Sequence, residues 1–257
     1  MKKYIKIIFK LIFSQWAYNS FSKRDLDTNQ FQPTVLIEAF TSEGCGSCPE
    51  ADNFFAELIH LSDSTDNPVT VIDFHVDIWN RSGWVDPLSD SLFSKRQRTY
   101  LAKNKLEAVY TPMAVCNGNE IWPGMAKKEI GRFIGKSLTR PSKHFIRVAS
   151  QMVPGEDSLT VAYALWGNPD SCLINVALVQ QDLISKITSG ENANKTLHHH
   201  NVVKFFYTRP LKGIKGEFKI GIPRGLDLTK YRMVTYVQQE NTWEVLCSDQ
   251  LFFDVRK

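Results

Sequence analysis

The sequence predicts an α/β N-terminal domain over residues 33–140 and an all-β, sandwich-like C-terminal domain over 144–257, preceded by a leader at 1–32. Three observations carry this expectation. An apolar, strand-like run at 35–40 passes through the turn-forming Cys45-Gly46-Ser47-Cys48-Pro49 into an amphipathic helix pattern. Asn117-Gly118 stands between two apolar runs, a strong hairpin signal. From about His144 onward, short runs alternate apolar and polar residues with a period of two, as half-buried antiparallel strands do.

The leader opens with Lys2, Lys3 and Lys6 ahead of Ile7, Ile8, Phe9, Leu11, Ile12 and Phe13, the layout of a secretory signal. Lys10 interrupts the apolar run and no small-residue cleavage site follows, so a basic amphipathic helix or an unstructured arm competes with that reading. A signal implies a periplasmic or secreted protein; an arm leaves a cytoplasmic one. Residues 1–32 hold six Lys/Arg and two Asp/Glu, so the formal charge of +4 belongs to the leader and the remainder is balanced at 25 of each sign. A nucleic-acid-binding face is therefore not expected. No later segment approaches the roughly 20 apolar residues that span a bilayer, so no transmembrane helix is expected beyond an uncleaved leader.

Ala51, Phe54, Phe55, Leu58 and Ile59 fall at i, i+3, i+4, i+7 and i+8, one stripe of a helix that begins near Cys48. Pro49 suits a first turn, where its missing N–H costs nothing, and Glu50 and Asp52 suit the positive end of the dipole. Cys45 then lies just before that end, where free N–H groups favour a thiolate and lower its pKa below about 8.5. Glu43 and Glu50 oppose the shift. Cys48, one turn inside, is expected to be the resolving thiol. The same pair could instead be a structural disulfide or half of a zinc site, although zinc normally takes four ligands and no second Cys-X-X-Cys exists.

Residues 69–76 read as a second buried strand, giving a right-handed parallel crossover. A helix follows at 89–104 behind Ser89 or Asp90, then the hairpin strands at 110–116 and 120–122, closed by Pro123-Gly124. A further helix at 126–138 turns Ile130, Phe133 and Ile134 inward, and 140–143 is the linker. Beyond it Leu159, Val161, Tyr163 and Leu165, then Ile174, Val176 and Leu178, then Ile214, Phe218, Ile220 and Ile222 mark one face of successive strands. That pattern predicts an antiparallel sandwich.

The order βαβ, helix, β-hairpin, helix resembles the thioredoxin fold in its minimal form. That fold places a cis proline at the start of its third strand, facing the Cys pair, and Thr111-Pro112 occupies the matching position. The resemblance makes Thr111, Pro112 and Met113 a substrate-binding segment, holding an extended partner through the proline carbonyl and an exposed edge. Without that context Thr111-Pro112 is an ordinary trans bond in a loop. Three segments (residues 40–49; Phe74-His75-Val76-Asp77-Ile78-Trp79 with Gly83-Trp84-Val85-Asp86-Pro87; and Tyr110-Thr111-Pro112) resemble more closely the domain of unknown function 1223 family. Gly190-Glu191-Asn192, Thr196-Leu197 and Asn201-Val202-Val203 resemble that family's second half. The likeness covers roughly 34–250 and implies secreted or periplasmic bacterial proteins with a thioredoxin-like domain and redox capacity. Met113 departs from it, since Gln is expected after the proline.

Around this motif His75 and Asp77 could assist proton transfer to Cys48, or serve as a satisfied structural pair. Trp79 and Trp84 suit a lid, a peptide groove or plain core. In His198-His199-His200 the strand period lets only His198 and His200 share a face, and a solvated loop is the simpler reading. Five cysteines leave at least one unpaired; Cys172 and Cys247 either bridge or are buried core residues, and Cys116 is expected to be buried. The resulting expectation is a thiol–disulfide oxidoreductase in which Cys45 attacks and Cys48 resolves. It needs no cofactor besides the redox-active disulfide and acts on a protein or small-molecule thiol or disulfide. The alternative is a copper(I)-handling or partner-binding module, with Met113 adding a thioether to the two thiolates.

Overall fold

The computed structural model describes residues 31–253 apart from 66, 153–155 and 168, so all but the last two residues of the expected leader lie outside it. In the first half, the elements follow the apolar spacing. They are β1 (Val35–Thr41), α1 (Cys48–Thr65), β2 (Val69–His75), α2 (Ser91–Lys103), β3 (Met113–Cys116), β4 (Glu120–Pro123) and α3 (Lys127–Leu138). β1 and β2 are parallel, with Val35 opposite Val69, while β3 runs antiparallel to both β1 and β4. The β3–β4 turn places Asn117 and Gly118 at φ of 42° and 77°, the left-handed conformations that an Asn-Gly hairpin turn requires.

Strand alternation divides the core. Ile37, Ala39, Val69 and Val71 meet Ala51, Phe55 and Ile59 of α1 and Ile130 of α3. On the other face Leu36, Phe40, Ile72 and Phe74 meet Phe93, Tyr100 and Leu101 of α2. Asp90 caps α2, its carboxylate accepting the Leu92 N–H at 2.8 Å. Among the described residues no helix is long and apolar enough to cross a membrane.

The second half comprises β5 (Phe145–Met152), β6 (Ser158–Trp166), β7 (Cys172–Gln180), β8 (Leu183–Lys186), β9 (Thr196–His199), β10 (Val202–Pro210), β11 (Lys215–Gly221), β12 (Tyr231–Gln239) and β13 (Val245–Phe252). Here the expected fold class is corrected. The two halves do not form a thioredoxin-like α/β domain beside a separate β-sandwich. The protein is mostly β, with 42% strand against 22% helix, and eight of its strands form one mixed sheet. The order is β13-β12-β7-β10-β2-β1-β3-β4.

The reason lies at β2. On its own the parallel unit would leave one edge of β2 with unpaired N–H and C=O groups, and β10 takes that edge through Val202 opposite Asp73. Asn201 completes the join: its carbonyl accepts the Asp73 N–H at 3.0 Å and its side-chain amide donates to the Val71 carbonyl at 3.0 Å. Of the strands beyond, β7 and β12 are buried on both faces. In β7, Ala177 and Val179 enter the core of Phe74 and Tyr100, whereas Ile174, Val176 and Leu178 pack against the separate three-stranded sheet β11-β6-β5. A period of two tells which face a residue takes but not which strand lies beside it, so the alternation fits a shared sheet as well as an independent one.

Candidate functional site

Thr41 ends β1, and two backbone hydrogen bonds, Cys45 N–H to the Ser42 carbonyl at 3.1 Å and Cys48 N–H to the Cys45 carbonyl at 3.2 Å, curl the chain into α1. Cys45 and Cys48 are joined as a disulfide at the helix N-terminus. Cys48 is fully buried and Cys45 only 3% exposed, whereas Ser47 between them is exposed. The Cys45 sulfur lies 3.7 Å from the Thr111 carbonyl oxygen, and the Thr111–Pro112 bond is cis. Trp79 packs over the loop, its indole N–H donating to Thr111 Oγ1 at 2.6 Å and its Cβ leaving just enough room for the glycine at 44.

The other residues singled out in the sequence divide into those that meet the Cys pair and those that do not. Pro112 is at the site, but its carbonyl already accepts the Gly124 N–H at 2.8 Å, and β3 is paired on both sides. The exposed edge expected there is therefore absent, because β4 covers it. The Met113 side chain is in the core with Phe40, Phe74 and Tyr100, its sulfur 3.9 Å from the Gln97 amide. Asp77 binds Ser94 at the start of α2 through both its N–H and its carboxylate. His75 is fully buried, with Nδ1 2.7 Å from the Asp86 carboxylate.

Behind the disulfide lies a buried acid–imidazole cluster that apolar periodicity does not reveal. Glu43 Oε2 accepts the Trp84 indole N–H at 2.7 Å, and Glu43 Oε1 is 3.2 Å from His199 Nε2, an ion-pair distance without hydrogen-bond alignment. Burial works to raise the Glu43 carboxyl, but contacts with His199, Ser185 and Trp84 outweigh it and hold the group below its usual range. Asp86 is likewise lowered: burial is overcome by His75 and by the N–H groups of Glu43 and Leu88. The His75 and His199 rings meet edge to face at 4.9 Å. Of the three-histidine run, then, the middle residue faces inward while His198 is exposed and His200 contacts Asp182 at 3.0 Å.

Asp52, one turn beyond Cys48 on α1, accepts the Thr41 hydroxyl at 3.0 Å. Burial pushes its carboxyl up to about 7, with the Asp86 charge adding to the rise while Thr41 and His199 pull against it. It borders a cavity of about 360 Å³ that also touches Pro49, Asn53, Lys195 and His198.

The cover over the pair comes from the loop between β8 and β9. Asn192 donates its amide to the carbonyls of Glu43 and Cys45, both at 2.9 Å, and Glu191 Oε2 accepts the Gly46 N–H at 2.8 Å. Ser189 donates to the Gly83 carbonyl at 2.6 Å, and Gly190, at φ 75°, lies against Trp84. The only signal of these partners in the sequence was the Gly-Glu-Asn motif itself. Cys116, Cys172 and Cys247 are buried free thiols whose pKa values burial raises, so Cys172 and Cys247 take the core reading. Among the described residues no group of three His, Cys, Asp or Glu side chains is arranged to hold a metal ion.

Fold and site together define a mostly β protein in which a helix-mounted Cys-X-X-Cys disulfide sits at the end of a continuous mixed sheet, under a loop from the second half. The chain belongs to the DUF1223 family of proteins of unknown function, whose sequence pattern matches residues 36–238. It is similar to the crystal structure of protein AGR_C_4864 from Agrobacterium tumefaciens, with a TM-score of 0.67 and 22% identity over 89% of this chain and 98% of that one. It is also similar to HBP35 of Porphyromonas gingivalis, with a TM-score of 0.60 and 17% identity over 89% of this chain and 77% of that one. At these identities the likeness is one of fold. No curated protein matches the chain.

Proposed function

We propose that the protein exchanges thiols and disulfides with a partner through Cys45 and Cys48. The observation that carries this reading is the placement of the disulfide: at the N-terminus of α1, with Cys45 3.7 Å from the Thr111 carbonyl and next to exposed Ser47. A helix N-terminus stabilises a thiolate, and hence favours it both as leaving group and as nucleophile.

From the oxidised state, a partner thiolate attacks the Cys45 sulfur, forming a mixed disulfide while Cys48 leaves as a thiolate and takes up a proton. A second partner thiol then attacks the partner's own sulfur in the mixed disulfide, and Cys45 departs. Two electrons pass from two partner thiols to the protein pair, leaving a partner disulfide and a protein dithiol. The reverse sequence oxidises the protein pair and reduces a partner disulfide. An extracytoplasmic location, where disulfides persist, fits this reading.

Equilibration in glutathione buffers, read by the mass added on thiol alkylation, tests it. A two-electron transition between roughly −120 and −270 mV, the span of known exchange catalysts, is expected, and it should vanish in Cys45→Ser. Cys48→Ser should trap a mixed disulfide. A pair that shows no transition in that span overturns the reading.

A further inference from the structure

Glu191 is 145 positions from Gly46 in sequence, yet its carboxylate takes the N–H between the two cysteines at 2.8 Å. That amide belongs to the residue next to Cys45, just ahead of α1, which begins at Cys48. We propose, building on the thiol-exchange reading, that Glu191 is a positioning residue that sets the thiol acidity and the reduction potential of the Cys45/Cys48 pair, making the pair more reducing than its helix N-terminus alone would.

The physical case rests on charge and placement. In the disulfide state Cys45 is uncharged, so the Glu191–Gly46 hydrogen bond is unopposed. Reduction adds two electrons; with Cys48 protonated and Cys45 ionised it brings one proton and leaves a negative sulfur. That charge then lies one residue from Gly46, whose N–H is held by a carboxylate of the same sign. The repulsion favours the disulfide. The surrounding charges are otherwise engaged: Glu43 faces His199 at 3.2 Å, Glu50 faces Lys127 at 3.4 Å, and Lys195 donates to Asn192 Oδ1 at 2.9 Å. Among the described residues no cation lies within ion-pair distance of Glu191.

Two further features hold the carboxylate there. Asn192 anchors the loop to the carbonyls of Glu43 and Cys45, which fixes the register of its neighbour. Gly46 admits it: a Cβ at that position would come within 2.5 Å of Glu191 Oε2 and 3.3 Å of Glu191 Cβ. Because Glu191 is exposed, solvent screens its charge and the effect is modest.

Glu191→Gln keeps an oxygen for the Gly46 N–H and removes the charge; Glu191→Asp keeps the charge. Each variant and the wild type are equilibrated with reduced and oxidised glutathione, and the Cys45 pKa is taken from the pH dependence of iodoacetamide alkylation. For Glu191→Gln, the equilibrium should move toward the dithiol by about three- to tenfold, where tenfold corresponds to about 30 mV, and the Cys45 pKa should fall. Glu191→Asp should stay nearer the wild type, and 1 M salt should narrow the gap. Wild-type values of both quantities in Glu191→Gln overturn the inference while leaving thiol exchange intact. A wild type that shows no two-electron exchange overturns both, and the wild-type curve alone reveals it.

Discussion

Arg96 clasps Glu38 through Nε at 2.6 Å and Nη2 at 2.8 Å, with the two side chains only 9% and 1% exposed. The pair joins helix α2 to strand β1, and its surroundings come from both halves of the chain. Tyr100 and Tyr236 also donate to Glu38, at 2.7 and 3.1 Å, and the guanidinium lies 4.8 Å from the Phe206 ring centre and 5.2 Å from that of Trp243. Removing one partner strands a charge in the core. Arg96→Met and Glu38→Gln should each cost about 3–5 kcal/mol in urea unfolding. The double variant should recover part of that loss; costs that simply add would show that the two residues act independently.

The shared sheet predicts coupled unfolding. Far-ultraviolet dichroism, dominated by α1, α2 and α3 of the first half, and tryptophan fluorescence, to which Trp166 and Trp243 of the second half contribute beside Trp79, Trp84 and Trp122, should lose signal at one urea midpoint. Two separated midpoints would show that the halves melt as independent units.

Asp52 predicts a pH dependence with a definite sign. Its carboxyl stands near 7 in the folded protein against 3.8 as the reference value, so the folded state binds the proton more tightly. Its contribution to stability is full below about pH 4 and is lost as pH rises through 7. Relative to Asp52→Asn, wild-type stability should therefore decline across that window, by up to about 1.4 kcal/mol per pH unit. Urea midpoints taken between pH 4 and 8 check this, and a constant difference between the two proteins would refute it.

Asn192→Ala removes the side-chain donor shared by the carbonyls of Glu43 and Cys45, leaving the Cys45 carbonyl only the Cys48 N–H. The cost should be about 1–3 kcal/mol, and reduction of the disulfide by a small phosphine should be faster because the cover is loosened. A wild-type reduction rate would show that the loop does not limit access.

At Gly118, φ 77°, a Cβ would come within 1.9 Å of the Trp243 carbonyl, whereas Gly213, φ 74°, has open space around it. Both alanine substitutions are strained by the left-handed backbone, at about 1–2 kcal/mol. Gly118→Ala should lose clearly more in thermal melts, because the hairpin turn must also lift off the loop at Trp243.

Local elements were readable because short-range physics sets them: the stripe from Ala51 to Ile59, the Asn-Gly turn and the Asp90 cap each depend on neighbours within a few residues. What was not readable is long-range partnership. Nothing in the alternation of Val202 and Val203 says that this strand will extend the sheet at Asp73. The Cys pair was conspicuous, but Asp86 and His199 come from separate segments to meet Glu43, two residues before Cys45. Polar residues buried in pairs leave no periodic trace, and His199 stood inside a run that reads as solvated loop.

The join between Val202 and Asp73, together with the loop at 189–192, bears on the order in which the molecule is assembled. A chain made from its N-terminus completes Cys45, Cys48 and the whole of α1 well before Asn192 exists. Until then the loop's hydrogen bonds to Glu43, Cys45 and Gly46 are missing, and β2 has no β10 along its edge. Sequence distance thus acts as a timer: the cover over the disulfide is complete only when the last third arrives.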